Sequence, residues 1–130
     1  TPDQFEQLVG ELLEKLNYSV RWVPGGKDGG IDIVATSAER DYLIDVKRYK
    51  ASNPVTVELV RGIYGVVESI APSRPDRILH GGIITSSRFT KEVEVFKQTV
   101  RRRPLLLDGE WLRKELANFV PRLHGDRGAD

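Results

Sequence analysis

A chain of 130 residues, 39% hydrophobic and 30% charged, has apolar sequence for one core and no stretch long enough to span a membrane. It contains no cysteine or methionine, and its two histidines, His80 and His124, are far apart. Disulfide scaffolds, thiolate metal sites, cysteine nucleophiles and paired-histidine metal sites are thereby excluded. The net charge of +1 hides an uneven distribution: nine acids against four bases over residues 1–45, twelve bases against five acids over 46–103, and five acids against four bases beyond. An acidic opening beside a basic middle suits a protein that grips a polyanion and holds metal ions nearby. The alternative for Arg101, Arg102 and Arg103 is that they close a helix, where cations favour the dipole. The residues from Thr1 onward carry no signal-peptide pattern, and we expect a cytoplasmic domain, cut from a longer protein, that makes no membrane contact.

Thr1-Pro2-Asp3-Gln4 reads as a capping box with proline at the first helical position. Phe5, Leu8, Val9, Leu12, Leu13 and Leu16 then form one apolar helical stripe that ends at Asn17. A strand is expected over Tyr18 to Val23, and the run from Pro24 to Gly30, with four glycines, must be a loop. Strands at Ile31 to Thr36 and Asp41 to Arg48, joined by Ser37 to Arg40, form an antiparallel hairpin. Val55 to Ile70 is long enough for a helix, although its β-branched residues and Gly62 and Gly65 weaken it. A loop at Pro72 to Pro75, a strand at Arg77 to Thr85, a helix at Thr90 to Val100 and a short strand at Pro104 to Leu107 follow. Asp108 caps a last helix through Phe119. The order α-β-β-β-α-β-α-β-α describes an α/β domain over residues 1–120, a mixed β-sheet flanked by helices, with 121–130 a flexible tail.

Chemistry concentrates at Asp32, Asp45 and Lys47. Side chains two apart in a strand share a face, so Asp45 and Lys47 emerge together. A hairpin closing around residues 38 and 39 sets Asp32 opposite Asp45, with Cβ atoms about 5 Å apart. The neighbouring positions (Ile31, Ile33, Val34, Leu43, Ile44, Val46) are apolar, which makes both strands central. Two buried acids side by side raise each other's pKa, and one lysine offsets only part of that cost. A divalent cation such as magnesium, which takes oxygen ligands, would complete the compensation. The bland alternative is an ion pair of purely structural use.

Asp28-Gly29-Gly30-Ile31-Asp32 followed by Tyr42-Leu43-Ile44-Asp45-Val46-Lys47-Arg48-Tyr49 resembles the PD-(D/E)xK nuclease superfamily, and most closely its Mrr-like restriction endonuclease catalytic domain. The resemblance extends from the Phe5-Glu6 helix to Leu107-Asp108-Gly109 with Leu112. It implies a restriction-endonuclease-like fold and a metal-dependent endonuclease using Mg2+, with Mn2+ as a substitute. Asp32 and Asp45 take the positions of the motif acids and Lys47 that of its lysine. The Val46 carbonyl would complete the metal ligands. Many Mrr-like members carry glutamine where this chain has Asp45, and Ile31 stands where a proline often precedes the first acid. Glu6 matches the first-helix glutamate that related nucleases use near the metals, and it is equally readable as a solvent-facing neighbour of Phe5. Asp28 is a shared position whose role is loop geometry or ligation.

Arg48, Lys50, Arg61, Arg88 and Lys91 are candidate DNA phosphate contacts. Gly81 to Ser87 reads as a buried strand running into a loop in preference to a phosphate cradle, and His80 as a satisfied core histidine. Gly26-Lys27-Asp28 is not a P-loop, and Ser86-Ser87 lacks a nucleophile elbow. The expectation is a DNA endonuclease domain of restriction or defence type. It would act as a homodimer or through a missing recognition domain. The alternatives are a junction-resolving nuclease and a non-cleaving DNA-binding module.

Overall fold

The Asp3 carboxylate accepts the Glu6 amide at 2.8 Å and starts helix α1, Gln4–Lys15. The computed structural model describes residues 3–24 and 30–119. Thr1 and Pro2 of the expected capping box, Asp28, and the expected tail at 121–130 lie outside the described residues, and the cap is Asp3 itself. Asn17 ends the helix at φ 75°, with its amide on the Glu14 carbonyl and that of Tyr18 on the Leu13 carbonyl. This paired return to the last turn satisfies carbonyls that the helix end would leave open.

The chain continues through β1 (Ser19–Trp22), β2 (Ile33–Thr36), β3 (Arg40–Lys47), α2 (Val57–Ile70), a single 3-10 turn (Ala71–Ser73), β4 (Ile78–Thr85), α3 (Lys91–Thr99), β5 (Leu105–Leu107) and α4 (Gly109–Leu116). The element order is the expected one. Most boundaries shift by a residue or so, and the following differences bear on the packing. Strand β2 begins at Ile33 and not Ile31, and Val55 forms an isolated parallel bridge to Phe89 before α2 starts. Helix α4 stops at Leu116, short of Phe119. Helix α3 stops at Thr99, so the three arginines do not close it. Arg102 instead meets Glu68 at 3.5 Å, and the Arg103 carbonyl meets His80 Nδ1 at 3.0 Å.

The sheet order is β1-β2-β3-β4-β5, antiparallel across β1–β2 and β2–β3 and parallel across β3–β4 and β4–β5. Strands β3, β4 and β5 therefore all finish at one edge of the sheet. Helices α2 and α3 cover one face, around Leu43, Val60, Val67, Ile83 and Val93. Helices α1 and α4 cover the other, around Leu12, Leu13, Ile33, Ile44, Ile84 and Leu112. Helix α2 forms despite Gly62 and Gly65 because Val57, Val60, Ile63 and Val67 bury one stripe, and that burial outweighs propensity. Among the described residues no helix is long and apolar enough to cross a membrane.

Candidate active site

The hairpin ladder pairs Ile33 with Ile44, Val34 with Leu43, Ala35 with Tyr42 and Thr36 with Asp41, the register expected from the sequence. One step further the ladder breaks. The Asp32 amide donates to the Ile44 carbonyl at 2.8 Å, one residue away from the partner the ladder would give it. This local bulge has a packing signature: Ile31 is buried in the α2–α3 layer and Ile33 in the α1–α4 layer, although residues two apart in a regular strand share a face. Asp32 sits at the crossing point. Its Oδ2 accepts the Val46 amide at 2.8 Å, which draws the carboxylate over the end of β3.

Asp45 and Lys47 emerge on the same side, as alternation requires, with Nζ 3.3 Å from Oδ1. Asp45 is only 5% exposed, and its Oδ1 has no hydrogen bond, the lysine contact being an ion pair of poor hydrogen-bonding geometry. Burial lifts the Asp45 carboxyl to about pKa 6; the neighbouring Asp32 adds to the rise and Lys47 opposes it. Gly30, at φ 85°, comes close enough that a Cβ there would stand 3.5 Å from Asp45 Oδ2. Glu6 approaches from α1. Its half-buried carboxyl is raised first by burial and then by the charges of Asp32, Asp3 and Asp45, which places it within electrostatic reach of the two aspartates.

One contact that holds Glu6 in place is not evident from the sequence. The Trp22 indole donates to the Glu6 carbonyl at 3.1 Å, and its ring occupies the space of a side chain on Gly10, where a Cβ would fall 2.1 Å from the ring. The signal was present in the sequence as a glycine inside a strong helical stripe, which costs about 1 kcal/mol unless something packs there.

The arrangement fits a hard cation. Two carboxylates lie together, and one of their oxygens is buried without a hydrogen bond, a state normally avoided. Among the described residues no three His, Asp or Glu side chains form a cage on their own, so backbone oxygen and water would have to complete the shell.

The candidate phosphate contacts divide. Arg48 and Lys50 are exposed on either side of half-buried Tyr49, just past Lys47, and Arg88 and Lys91 are exposed after β4 and at the start of α3. Arg61 belongs to a groove between α2 and α3, with its guanidinium 5.7 Å from the Phe96 ring centre. The Ser86 and Ser87 hydroxyls are spent on the carbonyls of Tyr49 and Asn53 at 2.7 and 2.9 Å, which fits a strand end stitched to a loop. His80 is half-buried and satisfied, stacked on Tyr42 and bonded through both nitrogens, and burial lowers its pKa.

The restriction endonuclease family represented by the Mrr catalytic domain matches residues 1–116. The chain belongs to this family. It is thus a restriction-endonuclease-like nuclease domain. The uncharacterized protein y4cE of Sinorhizobium fredii is 32% identical over 66 residues, 48% of this chain and 17% of that protein. Among solved structures, the DNA modification-dependent restriction endonuclease AspBHI superposes with a TM-score of 0.69 at 19% identity, over 91% of this chain and 31% of the other. MspJI restriction endonuclease, in complex with a 27-mer oligonucleotide, gives 0.62 at 19% identity over 86% and 27%. The AF1548 protein of unknown function gives 0.73 at 17% identity over 89% and 66%. The chain therefore spans only part of each of these proteins, and about a third or less of the two restriction enzymes.

Proposed function

We propose that the domain hydrolyses DNA phosphodiester bonds with Mg2+ or Mn2+ bound at Asp32 and Asp45, and that it is the cleavage module of a larger restriction enzyme. The observation that carries this is Asp45 Oδ1, a buried carboxylate oxygen without a hydrogen bond, beside a second acid and a lysine. Asp32 and Asp45 would hold the cation together with the Val46 carbonyl, Asp32 being oriented for this by the Val46 amide. Bound there, a divalent cation polarises a phosphoryl oxygen and lowers the pKa of its water. Lys47, with 29% of its side chain exposed, reaches from the buried acid toward solvent. It would orient the attacking water and neutralise charge that develops on the phosphorus oxygens. Glu6 would act from α1 on the outer side of the same cluster.

Arg48, Lys50, Arg88 and Lys91 would take backbone phosphates, giving affinity that falls steeply with salt. Arg61 would touch DNA only outside the catalytic edge. One domain offers one cluster, so cutting both strands would take two copies or assembly through the rest of the protein. Recognition of a modified base, as the name of AspBHI describes for that enzyme, would then lie outside this chain.

The test is plasmid cleavage with Mg2+ or Mn2+ by the parent chain and by Asp45→Ala and Lys47→Ala. Nicking or linearisation by the parent, lost in both variants, is the expected result. Cleavage that persists in both overturns the assignment, and binding without cleavage by every form favours the non-cleaving module.

A further inference from the structure

A pocket of about 200 Å3, lined mostly by charged and hydroxyl-bearing residues, opens at the edge where β3, β4 and β5 finish. Ser86 in its wall donates its amide to the Lys47 carbonyl at 3.2 Å, so the pocket is fastened directly to the strand that carries Asp45 and Lys47. Arg88 and Arg113 line it, and among the described residues neither guanidinium has an ion-pair or hydrogen-bond partner. The two acids in the lining are engaged elsewhere. Asp108 caps α4 by accepting the Trp111 amide at 3.0 Å, and Glu110 lies 3.8 Å from Lys114. What remains is a concavity of single-phosphate scale with two free planar forks, the side chain best matched to phosphate oxygens.

We propose that this pocket seats a backbone phosphate of the DNA strand beside the scissile one, clamped between Arg88 and Arg113. Arg113 is thereby a positioning residue: it sets how far along the groove the strand lies when a phosphate meets Lys47. The inference rests on the nuclease function above and adds to it a second contact point, on the β5 side of the catalytic cluster.

The experiment is duplex binding by the full chain carrying Asp45→Asn to prevent cutting, followed by fluorescence anisotropy across a range of salt concentration. Arg113→Ala is expected to flatten the plot of log affinity against log salt by about 0.9, the effect of one lost phosphate contact, and to do so equally on duplexes of unrelated sequence. Arg113→Lys keeps the slope. Ala51→Glu, which adds an anion at the exposed rim of the pocket, weakens binding without lowering the melting temperature. An unchanged slope in Arg113→Ala, or a loss that depends on base sequence, overturns the proposal even when the parent chain cleaves DNA. If the parent neither cuts nor binds duplex, the nuclease function fails and the clamp falls with it.

Discussion

Strand β3 buries an aspartate at each end, and the two are treated in opposite ways. Asp41, 4% exposed, is held by Arg77 at 2.8 Å and Arg74 at 3.0 Å, and Arg77 also ties down the carbonyls of Ser37 and Ala38 in the hairpin turn. Asp45, 5% exposed, has one lysine at 3.3 Å, an acid for a neighbour and an oxygen with no hydrogen bond. Residue type, strand and burial are matched, so the difference lies in the partners alone. A carboxylate with its charge answered stabilises the fold, whereas one left under-satisfied costs stability and keeps an affinity for something positive.

Four experiments sharpen or break that contrast. The largest effect is on cleavage: Asp45→Ala and Lys47→Ala are expected to lose at least about a hundredfold in rate, the scale of removing one charge-stabilising group. Asp41→Ala should leave the rate per folded molecule unchanged in the same plasmid assay. Its cost should appear in chemical denaturation, as a loss of about 2–4 kcal/mol, held below the fully buried case because Arg74 is half exposed.

Asp45→Asn should do the reverse and stabilise the metal-free domain at neutral pH by up to about 3 kcal/mol. The sign follows from the raised carboxyl. The fold favours the protonated form, so the contribution of Asp45 is fully present below its ordinary value of 3.8 and is lost as pH rises through about 6. Melting temperatures of parent and Asp45→Asn should therefore converge in acid, separate between pH 3.8 and about 6, and keep a constant gap above that. A gap that widens toward acid instead contradicts the burial that defines the site.

The smallest effect is at Gly30. Alanine there must adopt φ 85° and bring a methyl against Asp45, for a loss of about 1–2 kcal/mol in thermal unfolding. Added Mg2+ should recover less melting temperature in Gly30→Ala than in the parent, because the methyl crowds the carboxylate the ion would use.

Much of this was legible in the sequence. The alternation of Asp45 and Lys47 fixed their shared side, and a short connection between two apolar runs fixed the hairpin register from Ile33 to Thr36. The bulge at Asp32 was not legible, because Ile31 and Ile33 are equally apolar and nothing local says that they enter different layers. Arg77 and Arg74 could not be matched to Asp41 either, since their pairing depends on a crossover more than thirty residues long. The end of α3 was legible to within one residue, but the use of the arginines beyond it was not, because Arg102 meets Glu68 and the Arg103 carbonyl meets His80 across the fold. Local chemistry was readable, and contacts between distant segments were not.

The isoleucines on either side of Asp32 act as two anchors driven into opposite walls. Slipping the hairpin by one position would pull both out at once, exchanging their faces against the pleat, so the first acid cannot wander without unfolding the domain's interior. Geometry that enzymes commonly entrust to adaptable loops is here set between two buried side chains, where the chain enters the sheet. Backbone amides around residues 31–33 should accordingly be among the slowest to exchange with solvent, at rates that track global opening.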